Sequence, residues 1–255
     1  MDAITDLAGR IEACFIGALA GEAAAGTPAG AADLVGVAES AAASGGFDEE
    51  DLRHRGLERP SRGGSAGLLL RALPFGLLSP LDRPRLRRDA YRCVALAGAD
   101  EGTAVSAVAA AILIADLLRF DLPTALLRVR QSLLEDAPMA LLERLSVVDI
   151  ASLPAGEPSG DGAVAEADPG LTLQRAISAL AGADSLSGVL QAASGGPSVA
   201  VGLAGALLGA SGGRPAVDGA DVTHLPHAER AVSIAHRLAE RAAAAPSGVG
   251  SHSRG

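Results

Sequence analysis

Lysine and tryptophan are both missing from this 255-residue sequence, and aromatic residues of every kind make up 2% of it. A core without tryptophan has to be filled by Ala, Gly, Leu and Val, side chains that let helices approach closely. The shortage of aromatic and β-branched residues argues against a sheet. All 21 basic residues are arginine, and against 30 acids they leave a formal charge of −9. That balance weighs against a nucleic-acid partner. Arginines do gather at 53–62 and 83–92, but solvated helix faces and loops account for both groups. Only two cysteines occur, Cys14 and Cys93. Neither has a Cys or His at ligand spacing, so no metal motif is present and buried thiols in a reducing compartment are expected. No basic region followed by a long apolar run opens the sequence, so no secretory leader is expected. The longest apolar run, 104–118, is interrupted by Ser106 and Asp116 and is short for a membrane span. The expected location is the cytoplasm, with no membrane partner.

What is present is helical spacing almost from end to end. Leu7, Ile11, Cys14, Phe15, Ala18 and Leu19 place a first helix at 6–25, with Gly17 and Gly21 four apart and open to a close neighbour. Thr27 and Pro28 start a second helix that reaches about residue 43, and Gly45 with Gly46 closes it. A short polar helix at 48–55 and an apolar one at 67–78 follow. Next come a basic helix at 84–97, an apolar one at 102–120 capped by Asp100, one opened by Pro123, and one at 138–150. At 152–168 the pattern gives way to Gly, Pro, Ser and acid, which reads as a mobile insertion loop. Helices then resume at 171–181, 184–193, 198–208 and 227–245, ahead of a tail at 246–255 that reads as disordered. No fixed-period repeat occurs. The expected fold is all-α, a compact orthogonal multi-helix bundle in one domain spanning 1–245.

Four segments in order along the chain resemble the ADP-ribosylglycohydrolase (DraG-like) family. The stretch at 10–26 is similar to the family's opening helix, which normally ends in Gly-Asp-Ala-Xaa-Gly. The stretch at 38–52 resembles the helix, turn and short helix after the second motif. The Leu-Arg-Ala-Leu-Pro-Phe-Gly-Leu stretch around Arg71 is similar to Met-Arg-Xaa-Xaa-Pro-Xaa-Gly-Leu. The stretches at 183–196 and 202–217 resemble the region of the last motif. The resemblance implies an all-α orthogonal fold, two divalent metals (usually Mg²⁺) held by carboxylates of three separated motifs, and ADP-ribosylated substrates. Hard dications want several oxygen ligands, and a metal pair positions and polarises the reacting groups.

The motifs themselves are depleted. Glu22 stands where the family has Asp. The Thr-Asp-Asp-Thr motif falls on 28–31, Pro-Ala-Gly-Ala, with Thr27 nearby and no acid. The Gly-Gly-Asp-Xaa-Asp-Thr motif meets Gly195, Gly196, Pro197, Ser198 and Val199, and no carboxylate lies between Asp184 and Asp218. The loop between the first two motifs is deleted, the family's Thr-His pair is replaced by residues 96–100, and its Asn by Ser65 or Ala66. Glu22 alone cannot hold two hard dications, so no Mg²⁺ or other cofactor is expected. Glu22, Thr27, Gly195, Gly196 and Ser198 remain as candidates lining a remnant cleft, with no catalytic or metal-binding residue assigned.

Other polar residues have structural readings. His224 and His227 read as a polar pair at a helix start, His54 as a helix-end cation, and His236 as a lone histidine. Ser198 reads as a helix N-cap. Arg71, within an apolar helix, needs a buried partner, and Glu22 is one candidate. The expected role is that of a degenerate family member that binds a protein partner, a second copy or a nucleotide-like small molecule. The alternative is a repurposed, metal-independent hydrolase or lyase using the same cleft, with Glu22 or another acid as its working group.

Overall fold

The computed structural model describes residues 3–26, 30–135, 137–145, 168–193, 198–219 and 224–244. Among them are twelve α-helices, one 3-10 helix and no strand: α1 Ala3–Ala24, α2 Gly30–Ser44, α3 Glu49–His54, α4 Gly64–Leu78, α5 Arg83–Leu96, α6 Glu101–Leu117, α7 Leu122–Leu133, α8 Met139–Arg144, α9 Pro169–Ala181, α10 Leu186–Ala192, α11 Ser198–Gly212, the 3-10 turn Arg214–Val217, and α12 Ala228–Ala244. The all-α reading holds, and the expected helices are present in the expected order. The insertion loop at 152–167 and the tail at 246–255 lie outside the described residues, as do Thr27, Gly195 and Gly196.

The helix starts follow from side-chain chemistry. Asp48, Asp82, Asp100, Asp121 and Asp168 each accept a hydrogen bond from a backbone amide three residues on, satisfying a donor that the helix itself leaves orphaned. Ser185 does the same for α10. Asp168, placed by sequence at the edge of the mobile loop, is thus the cap of α9. Gly45, in the left-handed region at φ +79°, ends α2 as its position predicts.

Three helices are buried on every side. In α4 each residue from Ala66 to Leu78 is buried. In α6 each residue from Thr103 to Leu117 is buried, and in α11 each from Val199 to Ala210. A helix apolar all round belongs at a core's centre. α1 packs along α11 and α12, α4 along α6 and α2, and α5 and α7 flank α6. No helix of the described residues is long and apolar enough to cross a membrane. Cys14 and Cys93 are buried free thiols, as expected, and burial pushes both thiols up, Cys93 to about 12.

The α1–α11 contact is made by backbone. A Cβ on Gly17 would fall 2.0 Å from the Gly205 oxygen, one on Gly205 2.1 Å from the Gly17 oxygen, and one on Gly209 2.2 Å from the Ala13 oxygen. The four-residue spacing of Gly17 and Gly21 predicted a close neighbour, and α11 is that neighbour. It also explains why α11 runs on to Gly212 although the glycines from 209 onward read as its end. Gly209 meets α1, and the turn comes at Gly213, φ +66°.

Candidate functional site

α1 delivers Glu22 into the angle between the start of α2 and the first turns of α11. The side chain is fully buried, 0% exposed. Its Oε1 accepts from the Gly30 amide at 3.0 Å and its Oε2 from the Ala31 amide at 2.7 Å. Those amides open α2, where a carboxylate satisfies orphan donors and meets the positive end of the helix dipole. Two glycines make the slot. A Cβ on Gly30 would fall 2.6 Å from Glu22 Oε1, and one on Gly202 2.7 Å from its Cγ. Burial pushes the Glu22 carboxyl up to about 7; the two amide bonds pull it back down, and the neighbouring Asp33 charge adds to the rise.

Asp33, in the first turn of α2, is a carboxylate that sequence reasoning overlooked. It lies two residues past the Pro-Ala-Gly-Ala stretch where the second motif was sought. Arg71 of α4, 2% exposed, donates to Asp33 Oδ2 from Nε at 3.0 Å and Nη2 at 2.7 Å. Ser61 Oγ donates to the same oxygen at 3.1 Å. The remaining face of the guanidinium is satisfied by the carbonyls of Leu57 and Arg59, each at 2.8 Å from Nη1. Arg71 is therefore buried and paired, as expected, but its partner is Asp33 and not Glu22. Both Glu22 oxygens are already bonded to α2, and Arg71 faces the first turn of that helix.

Ser198 is half-buried and begins α11 as its first helical residue, one place inside the cap position expected of it. It stands one turn before Gly202 on the same helix face, so the start of α11 and Glu22 do converge. His54, His227 and His236 take no part in this convergence. His54 ends α3; His227, at φ +67°, directly precedes α12 with Nδ1 3.2 Å from Arg230; His236 is exposed. Among the described residues no three His, Cys, Asp or Glu gather where they could hold a metal ion.

The chain matches the family model for ADP-ribosylglycohydrolase over residues 34–247. It belongs to the ADP-ribosylglycohydrolase family. A similar solved structure, that of an ADP-ribosylglycohydrolase-related protein complex, superposes with a TM-score of 0.75 at 19% identity, covering 93% of this chain and 99% of that one. At this identity the likeness is one of fold. No curated protein matches the sequence. Glu22 and Asp33 both precede the stretch matched to the family, while Arg71, Pro74 and Gly76 of the Arg-Xaa-Xaa-Pro-Xaa-Gly segment lie within it. Arg71 ties α4 to α2 through Asp33, and a Cβ on Gly76 would fall 2.2 Å from the Ala111 oxygen of α6.

Proposed function

We propose that this chain is a family member without metal-dependent ADP-ribosyl hydrolysis, acting as a binding module for a protein partner or a nucleotide-like ligand. The observation that carries the reading is the commitment of Glu22. Both of its oxygens are bonded to backbone amides inside a slot that glycines close around it. To ligate a dication, Glu22 would have to share with the metal the two oxygens that the amides of α2 already hold, and Asp33, whose Oδ2 is taken by Arg71 and Ser61, would offer Oδ1 alone. Residues 27–29 and 194–197 bring no carboxylate, since they read Thr-Pro-Ala and Ser-Gly-Gly-Pro. The residues present therefore do not fit a pair of hard cations, and no Mg²⁺ is assigned. A protein partner is favoured by the similar solved structure being that of a protein complex. Two buried free thiols favour a reducing, cytoplasmic location.

A second reading, metal-independent catalysis by Glu22, has one observation behind it. A carboxyl raised to about 7 is poised for proton transfer. Against it stands the geometry, because a general acid or base must reach its proton, and this one is sealed by its own hydrogen bonds.

Isothermal titration of the chain with ADP-ribose, with and without Mg²⁺, tests the proposal beside an assay for release of ADP-ribose from a modified protein. No release, and binding that is absent or indifferent to Mg²⁺, is expected. Binding that strengthens with Mg²⁺, or Mg²⁺-dependent release, sinks the proposal. Release without metal, lost in Glu22→Gln, would favour the second reading.

A further inference from the structure

Where α5 and α7 flank α6 the structure holds a cavity of about 500 Å³, within the size range of small-molecule sites. Its apolar lining comes from Val105 and Val108 of α6 and Leu133 of α7, all three buried. Tyr91 of α5 adds an aromatic ring that is 47% exposed.

Some of the charged groups in the lining are already engaged and some are not. Arg87 donates from Nη1 to the Ser132 carbonyl at 2.8 Å and so ties α5 to α7. Arg88 is held through one nitrogen: its Nε donates to Asp89 Oδ1 at 2.9 Å, and neither Nη atom has an acceptor among the described residues. Arg92, one turn further along α5, is held by its face, 4.4 Å over the Phe47 ring, and it too has no acceptor among them. Glu101 opens α6 and Glu135 follows the end of α7; neither makes a hydrogen bond or an ion pair among the described residues. The cavity is therefore lined by positioned guanidinium donors, free carboxylates and buried apolar side chains together.

We infer that this cavity binds a small zwitterion with an apolar body, the chemistry of an apolar amino acid or of a dipeptide of two. The free donors of Arg88 and Arg92 answer a carboxylate, which can accept from a guanidinium through both of its oxygens. Glu101 and Glu135 answer an ammonium group. Val105, Val108, Leu133 and the Tyr91 ring answer an apolar side chain. Other ligands leave part of this lining unanswered. A plain anion such as phosphate would use the arginines and be repelled by the two acids, and a plain cation would meet the reverse. An uncharged apolar molecule would cover ionised groups without pairing them. The inference is independent of the reading of Glu22: hydrolysis by this chain would overturn that reading and leave this one intact.

Calorimetric titration of the full chain with L-leucine and with L-leucyl-L-leucine tests it. The controls are 4-methylpentanoate, which lacks the ammonium group, 3-methylbutylamine, which lacks the carboxylate, and inorganic phosphate. At least one zwitterion should bind with a dissociation constant below about 1 mM, and the tighter of the two shows whether the free amino acid or the dipeptide is the ligand. Removing either charged group should weaken binding by more than about tenfold. Arg88→Gln/Arg92→Gln should weaken it by a similar factor. Both side chains are exposed, so an unchanged thermal melt will show that the variant still folds. No binding of either zwitterion at about 10 mM overturns the inference, and so does binding that the double variant leaves intact. A control acid or amine that binds as tightly as the zwitterion also overturns it. Phosphate binding more tightly than both zwitterions overturns it in favour of a plain anion site.

Discussion

The seam between α1 and α11 and the groove between α5 and α7 treat the space between helices in opposite ways. At the seam, glycines four residues apart on each helix bring backbone onto backbone, and the one charged side chain enclosed there, Glu22, has every oxygen occupied. At the groove, α5 and α7 flank α6 with arginines, a tyrosine and acids, and a cavity is left between them. The difference locates two properties in two places. At the seam the buried carboxylate is tied through both oxygens to the start of α2. Arg88, Tyr91, Arg92, Glu101 and Glu135 are among the residues that line the groove instead.

The strongest way to break the seam is Gly205→Leu. The new Cβ would fall 2.1 Å from the Gly17 oxygen, and backbone has no rotamer by which to give way. Helices α1 and α11 would have to part, opening voids along a buried helix. The expected loss in urea unfolding is more than about 3 kcal/mol, at the upper end for overpacking. A loss under about 1 kcal/mol would show that the two helices separate easily and that the contact is not what holds them.

Next in size is Arg71→Met, which removes the clasp between α4 and the start of α2. It leaves Asp33 with Ser61 alone and takes the guanidinium from the carbonyls of Leu57 and Arg59. Breaking a buried pair on one side costs about 3 kcal/mol. Arg71→Met combined with Asp33→Leu should recover part of that loss, because no uncompensated charge then remains. A double variant less stable than Arg71→Met would show that Asp33 does more than answer Arg71.

Periodicity and caps made most of the helices legible in the sequence, because both signals are local. Asp100 stands where a cap should, and Gly17 with Gly21 announced a close neighbour without saying which helix it was. The misses are the non-local contacts. Asp33 and Arg71 are 38 residues apart, and nothing at either position names the other, so the sequence offers Glu22 as a candidate partner and not Asp33. Asp33 lies two residues beyond the motif's four positions, so the motif does not point to it. Gly209 reads as a stop in a sequence and as a contact in a structure; only the neighbouring helix decides between them. The basic helix with Tyr91 is visible as a pattern, but that it lines one cavity with Glu101 and Glu135 depends on how α5 and α7 pack on α6.

Glu22 gives the seam a pH dependence that the groove's substitutions should lack. The folded protein raises this carboxyl from 4.5 to about 7, so it holds the proton more tightly than the unfolded chain does. The resulting contribution to stability is full below about pH 4.5 and is lost as the pH climbs through 7, up to about 3 kcal/mol in all. Glu22→Gln has no proton to lose. Unfolding free energies at pH 5 and pH 8 should therefore show wild type losing stability relative to the variant as pH rises. Parallel values would mean that the two amide bonds outweigh burial and keep Glu22 ionised throughout.

The smallest expected effect sharpens the comparison from the other side. Tyr91 and Leu134 border the groove with their side chains already in solvent, so Tyr91→Glu/Leu134→Glu creates no void and buries no charge in the single chain. Surface changes of this kind stay within about 0.5 kcal/mol each. Urea unfolding should therefore superpose wild type and variant. A marked loss of monomer stability would show that these side chains support the wall of the groove. Unlike the seam, where one added methylene unsettles two helices, the groove should tolerate two new charges without any effect on the fold.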